Sequence, residues 1–216
     1  MSTSVIIPQY GEFDLTQRLI QSLQAHEDPA TELIVVDDGS PAFSRFQCPE
    51  MSHLKVVSQP HRGVTAAWNT GVRHSSGDVL IFLNNDVKCT APWISRLRKP
   101  LEIENVMVVG PRMRTERLLP NSIAPDSPRC VLEGWCFAVR RADLFCLGGF
   151  DERFEMYFSD TDFQWRMLTL NQEGCLQEVL DLSLNHTGHA TTRKYDRRRD
   201  VHAADREKFI EKWSHR

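Results

Sequence analysis

Short apolar runs alternate along the chain with stretches in which apolar residues return every three or four positions. The runs are Ser4 to Pro8, Leu33 to Asp37, Leu54 to Ser58, Val79 to Leu83, Val106 to Val109 and Trp135 to Val139. Each has strand length, and the periodic stretches between them fit helices, the arrangement expected of parallel strands covered by helices. After the first run, Leu15, Leu19 and Leu23 repeat at four-residue spacing on a helix that Asp14 is placed to cap. Val64, Ala67, Trp68, Gly71 and Val72 share one face of a second helix. A third begins near Pro92 and buries Trp93, Leu97 and Leu101. Another runs from Thr161 to Leu170 with Phe163, Met167 and Leu170 inward, and an amphipathic segment spans about Val201 to Trp213. Val79 to Leu83 is apolar throughout and therefore belongs mid-sheet. Residues 110–129 contain four prolines and read as a loop folded over a site. The pattern predicts an α/β fold: a single three-layer α/β/α domain with a mostly parallel central sheet.

Composition narrows this picture. A chain of 216 residues, 41% of them hydrophobic, fills one core and would be strained to fill two, so residues 1–216 read as one domain. The longest apolar run is far too short to cross a bilayer, and Met1 to Thr3 lead straight into a strand with no targeting pattern; a cytoplasmic protein without a transmembrane segment is expected. Six cysteines (Cys48, Cys89, Cys130, Cys136, Cys146, Cys175) form no C-x-x-C pair, which argues against a zinc ribbon and reads as small buried hydrophobes in a reducing compartment. Net charge is −3, yet residues 193–216 hold nine Lys/Arg against five acids. Such a tail suits a phosphate, a lipid headgroup or nucleic acid, or equally a solvated helix face.

Ligands of open α/β sheets bind beyond the carboxyl ends of the strands, and those ends are polar here. The first strand ends in Pro8, Gln9, Tyr10 and Gly11, the second in Asp37, Asp38, Gly39 and Ser40, the most apolar one in Asn84, Asn85 and Asp86. Acids at these positions suit a base N–H, ribose hydroxyls, or a hard cation bridging to a diphosphate. The Gly-x-Gly-x-x-Gly of dinucleotide oxidoreductases does not follow the first strand, nor does the Gly-rich basic loop of a sugar-phosphate nucleotidyltransferase.

Taken in order, VIIPQYG (5–11), VVDDGS (35–40), Arg62-Gly63 with AWNTG (67–71), Gly77-Asp78, FLNND (82–86), GGFDE (148–152), YFSDTDF (157–163) with Arg166, and Asn185-His186 resemble family 2 glycosyltransferases of the A-type fold over roughly residues 4–192. The resemblance implies a donor half over about 1–110, an acceptor and catalytic half over about 111–192, and a basic segment over 193–216. It implies an inverting enzyme that moves a sugar from a nucleotide-diphosphate donor, UDP-sugar favoured, to an acceptor hydroxyl. Asp37 or Asp38 would accept from the base N–H, Pro8 and Tyr10 would wall the base pocket, and Arg62, Asn69, Asn84 and Asn85 would complete the donor site. A turn role would account for one of the paired acids but hardly both. Asn84 stands where the family has the first acid of Asp-x-Asp, so Asp86, with His186 (His189 if the register slips), would hold Mn²⁺ or Mg²⁺ mainly together with the donor's own oxygens. Arg193, Lys194 and Tyr195 would close over the diphosphate.

Asp160 matches the family's general base, with Ser159 in place of the usual glutamate. An unperturbed aspartic acid, pKa about 3.9, is a weak base, so burial or a neighbouring acid is expected to raise it. Asp162 fits a helix cap or a pair with Arg166. Gly134 and Trp135, beside Glu133, and with Ser159, would contact the acceptor, Trp135 otherwise being core. The acceptor stays open between saccharide, lipid-linked or other hydroxyl compounds, with a hydroxylated nucleic-acid base as the reading the basic tail permits. A protein that keeps the nucleotide pocket but has lost catalysis is the alternative from another class.

Overall fold

The computed structural model describes residues 1–41, 51–115, 130–188 and 197–214. Its strands are β1 (Thr3–Gln9), β2 (Glu32–Asp38), β3 (Leu54–Gln59), β4 (Val79–Leu83), β5 (Val87–Cys89), β6 (Val106–Gly110), β7 (Met113–Thr115), β8 (Cys130–Leu132), β9 (Cys136–Arg140), β10 (Cys175–Glu178) and β11 (Leu184–His186). Its helices are α1 (Phe13–His26), α2 (Val64–His74), α3 (Ile94–Arg98, continued by a 3-10 turn Lys99–Glu102), α4 (Arg141–Leu147), α5 (Ser159–Leu170) and α6 (Arg198–Trp213). Seven strands form one sheet in the order β10-β6-β9-β4-β1-β2-β3. Its other pairings are parallel, and β9 alone runs antiparallel to both its neighbours, β4 and β6. The mostly parallel α/β sheet is thus as expected, with the wholly apolar β4 at its centre.

Strand alternation builds the layers. Val5, Ile7, Val35 and Ile81 face Leu19, Ile20 and Leu23 of α1 and Trp93 and Leu97 at α3, while Ile6, Val36, Leu80 and Phe82 face Ala67 and Trp68 of α2 and Phe163 and Met167 of α5. Successive side chains of a strand point to opposite faces, so one uninterrupted apolar run feeds both cores. A third cluster of Val131, Phe154, Trp165, Phe209 and Trp213 docks α6. Among the described residues, no helix is long and apolar enough to cross a membrane.

Several local expectations are corrected. Asp14 lies inside the first turn of α1 and is not its cap; Glu12, in the left-handed region at φ 38°, precedes the helix. The helix expected from Pro92 has only five α-helical residues, because Pro100 lacks the N–H to continue it and the chain tightens into the 3-10 turn. Leu170 is exposed at the end of α5, where the helix has already passed the core. Part of the expected loop 110–129 is strand β7, paired with β8; residues 116–129 lie outside the described residues. Cys89 and Cys136 are buried, and burial pushes both thiols up, but Cys130, Cys146 and Cys175 are exposed on edge strands and a helix surface. Cys48 lies outside the described residues.

Candidate active site

A cavity of about 960 Å³ opens at the carboxyl ends of β1, β2 and β4. Its lining includes Pro8, Gln9, Tyr10, Asp38, Asn84, Asn85, Asp86, His186, Gly134, Trp135 and Asp160. Arg193, Lys194, Tyr195 and His189 lie outside the described residues.

Both acids of the β2 turn have structural partners, contrary to the expectation that a turn explains only one. Asp37 accepts from the Ser40 N–H (3.2 Å) and the Ser58 hydroxyl (3.4 Å), and its side chain is off the cavity wall. Asp38 accepts from Gln59 Nε2 (2.7 Å) and the backbone N–H groups of Arg62 (2.9 Å) and Gly63 (2.8 Å), with His61 Nδ1 at 2.7 Å. Its carboxylate therefore fixes loop 61–63, and the ring of His61 lies 4.5 Å from that of Tyr10. Gly63 has φ 90°, and a Cβ there would come 2.2 Å from the carbonyl oxygen of Glu155, so the close approach of these two segments requires glycine.

Two further donor candidates bind protein instead of facing the cavity. The Arg62 guanidinium pairs with Glu152. Asn69 donates to the Phe150 carbonyl (2.9 Å) and accepts from the Phe150 N–H (3.0 Å), locking the GGFDE turn onto α2. Short polar side chains pair locally with backbone readily, and sequence position alone does not separate that from ligand binding. Gln9 is another matter: it is 2% exposed, lines the cavity, and neither polar atom of its amide has a partner among the described residues. A buried unsatisfied amide costs about 1–3 kcal/mol. Gln9→Met, similar in length, is expected to raise the melting temperature of the ligand-free protein by about 2–4 °C; a lower value by scanning calorimetry would show that the amide is satisfied.

The metal candidates come from elements a hundred residues apart. β11 pairs antiparallel with β5 so that His186 stands opposite Val87, bringing His186 Nε2 to 3.2 Å from Asp86 Oδ1. His186 stacks on Trp135 (centroids 4.6 Å, interplanar 14°), and Trp135 Nε1 donates to Glu133 at 2.8 Å. One face of Trp135 is thereby covered by the histidine and is closed to an acceptor ring. An oxygen and an imidazole nitrogen converging on one cavity suit Mn²⁺. Among the described residues no group of three or more His, Cys, Asp or Glu could hold a metal alone. Asn84 lines the same wall, its backbone N–H bonded to the Trp135 carbonyl (2.8 Å), and Asn85 donates to Thr16 (3.1 Å).

Asp160 sits in the first turn of α5, its side chain 14% exposed. Arg114 of β7 faces it, 3.6 Å from Asp160 Oδ2, and donates to the Thr161 hydroxyl at 3.0 Å. Gly134 leaves room for this carboxylate: a Cβ would stand 2.7 Å from Asp160 Oδ2. Ser159 is 1% exposed, its hydroxyl has no partner among the described residues, and it is off the cavity wall, because the first helical turn carries it to the core side. Asp162 pairs with Arg166 (2.8 Å) as expected and also meets Lys212 Nζ (2.6 Å) and Trp213 Nε1 (3.0 Å). Breaking a buried pair of this kind typically costs about 3–5 kcal/mol.

Arg112, Arg114, His61 and His202 also line the cavity and were not singled out by the sequence; so do Trp68 and Tyr157, which fall within the motifs, and Arg198, which falls within the basic segment, none of the three with an assigned site role. The spacing of Arg198 and His202, one helical turn apart, was the available signal for those two; Arg114 carried none. The basic tail is partly spent internally, since Lys208 pairs with Asp205 and Lys212 with Asp151 and Asp162. Burial raises the Asp151 carboxyl, but hydrogen bonds from Arg153 and Lys212 outweigh it and hold it well below the usual range. Two of the charges a polyanion would need are therefore engaged.

A parallel α/β sheet with one reversed strand, a polar cavity at its strand ends and an acid and histidine meeting in its lining is the A-type glycosyltransferase fold. The chain belongs to glycosyl transferase family 2, whose pattern matches residues 4–144. It is 27% identical over 164 residues to the Drosophila melanogaster "Putative inactive polypeptide N-acetylgalactosaminyltransferase 11", covering 60% of this chain and 29% of that one. In structure it is similar to a mannosyltransferase from Pyrobaculum calidifontis solved with GDP-Man and Mn²⁺ (TM-score 0.68, 20% identity, 97% of this chain and 64% of that one). It is also similar to glucosyl-3-phosphoglycerate synthase from Mycobacterium tuberculosis solved with Mn²⁺, UDP and phosphoglyceric acid (TM-score 0.69, 21% identity, 94% and 76%). These two likenesses are of fold. The chain spans 29% to 38% of the length of the first curated relatives it matches.

Proposed function

We propose that this chain is an inverting glycosyltransferase domain that moves a sugar from a nucleotide-diphosphate donor, UDP-sugar favoured, to an acceptor hydroxyl. The observation that carries this reading is the convergence of Tyr10, Asp38, Asp86, His186 and Asp160 on one cavity. The base would lie near Pro8, Tyr10 and Asp38, and the diphosphate toward Asn84 and Asp86. Asp86 and His186 would hold Mn²⁺ or Mg²⁺, which when bound neutralises charge on the departing diphosphate. Asp160 accepts the proton of the acceptor hydroxyl while that oxygen bonds to the anomeric carbon and the bond from that carbon to the diphosphate breaks on the opposite side. Arg114, 3.6 Å from this carboxylate, is placed to orient it.

A second reading, a nucleotide-sugar-binding protein without transfer activity, draws on Asn84, Ser159 and the inactive-named relative. Calorimetric titration with UDP, dTDP and GDP, each with Mn²⁺ or EDTA, tests both. Metal-dependent binding of one nucleotide together with turnover of its sugar supports the enzyme; binding without turnover supports the second reading, and no binding by folded protein sinks both. The acceptor is proposed only as a saccharide, lipid-linked or other hydroxyl compound.

A further inference from the structure

Among the described residues, Asp37, Asp162 and Asp205 are buried acids off the cavity lining, and Asp205 is tied to the catalytic segment. Asp205 of α6 is 0% exposed and is far in sequence from every motif. Its carboxylate accepts from three consecutive backbone N–H groups, those of Glu155 (3.2 Å), Met156 (2.9 Å) and Tyr157 (3.0 Å). Three successive amides converging on one anion fix a turn more firmly than any single bond, because the turn cannot rotate without losing several charge-assisted contacts at once.

What this turn leads to gives the clasp its meaning. Met156, Tyr157 and Phe158 line the cavity, Phe158 takes a left-handed backbone at φ 61°, and α5 then begins with Ser159 and Asp160. The same turn places the Glu155 carbonyl against Gly63, whose N–H is held by Asp38. The turn clasped by Asp205 thus touches the donor-side loop and leads into the base. Residues 198, 202, 205 and 209 share one face of α6, so the helix that carries the clasp also brings Arg198 and His202 to the cavity wall.

We propose that Asp205 is a positioning residue for transfer: it holds turn 155–157 and through it sets where Asp160 meets the acceptor. This role rests on Asp160 being the base. Helix α6 has independent anchors, with Phe209 among Phe154 and Trp165, Lys212 on Asp151 and Asp162, and Trp213 on Asp162. Losing the Asp205 charge therefore loosens the turn without undocking the helix.

The test compares wild type with D205N, D205E and K208A. Lys208 meets Asp205 (3.0 Å) and the Arg153 carbonyl (2.7 Å) but not the turn amides, so K208A removes the ion pair and leaves the clasp. The readouts are amide hydrogen exchange over 155–162, calorimetric affinity for UDP with Mn²⁺, and UDP release per folded molecule from UDP-glucose, UDP-galactose and their N-acetylamino counterparts. D205N is expected to exchange faster at 155–157, to keep its UDP affinity, and to release UDP about 10–100-fold more slowly, the loss expected of a base displaced by about an ångström. D205E should recover part of that loss, and K208A should match wild type. D205S, with the same expectations as D205N, serves if D205N does not fold. Wild-type exchange at 155–157 in the variant, or faster exchange with wild-type release, overturns the proposal. A wild type that neither binds nor cleaves any nucleotide sugar overturns the enzyme reading and any role in transfer with it; exchange at 155–157 then reports a structural clasp alone.

Discussion

Asp160→Asn is expected to fold, bind donor as wild type does, and lose transfer by about 10³-fold, within the range general-base groups contribute. The amide keeps the size of the carboxylate and an oxygen to face the Arg114 guanidinium, which also stays bonded to the Thr161 hydroxyl, so packing at the start of α5 should survive. It cannot take the acceptor proton. Gly134→Ala separates chemistry from position. The added methyl would stand 2.7 Å from Asp160 Oδ2, a contact the carboxylate can relieve by turning away, and 3.0 Å from its Cβ, which a backbone shift of a few tenths of an ångström relieves. Stability should change little while turnover falls about 100-fold, because near-attack geometry tolerates displacements of well under an ångström. Initial rates at saturating donor, with melting curves for each variant, read both effects. Near-wild-type turnover in Asp160→Asn would remove Asp160 from its role, and near-wild-type turnover in Gly134→Ala would mean that the carboxylate's place is not fixed.

Strand positions were legible in the sequence because burial on both faces demands unbroken apolar runs, and β4 at mid-sheet follows from Val79 to Leu83 alone. The short elements were not. β5 and β11 have three residues each and no period to detect, yet their pairing is what joins Asp86 to His186. Helix ends also misled: Asp14 is a good capping residue by type, but the left-handed turn at Gly11 and Glu12 starts α1 one residue before it. Pro8, Tyr10, Asp38, Asn84, Asn85, Asp86, Gly134, Trp135, Asp160 and His186, all picked out from motif order, line one cavity. Motif order did not distinguish these from Asp37, Arg62, Asn69 and Ser159, whose places off the wall depend on partners distant in sequence or on the helical turn. Arg114 and Asp205 act across the fold through contacts that no local pattern encodes.

Asp86→Asn is expected to abolish the dependence of UDP binding on Mn²⁺. The protein offers one carboxylate and one imidazole at this place, with Asn84 uncharged where an acid would add a ligand. Such a pair would hold a divalent ion weakly, with the diphosphate supplying the remaining oxygens and charge. Metal and nucleotide then raise each other's affinity by one common factor, and couplings of this kind run to about 5–150-fold. Asparagine retains an oxygen but no charge, so the factor should collapse toward one, whether read as UDP affinity with Mn²⁺ against EDTA or as Mn²⁺ affinity with and without UDP. His186→Ala should reduce it less, since imidazole contributes a lone pair without charge, although the stack on Trp135 is lost as well. Equal coupling in Asp86→Asn and wild type would place the metal elsewhere. Unequal factors from the two directions of titration would mean that a second Mn²⁺ site is being filled, because linkage at one site is reciprocal.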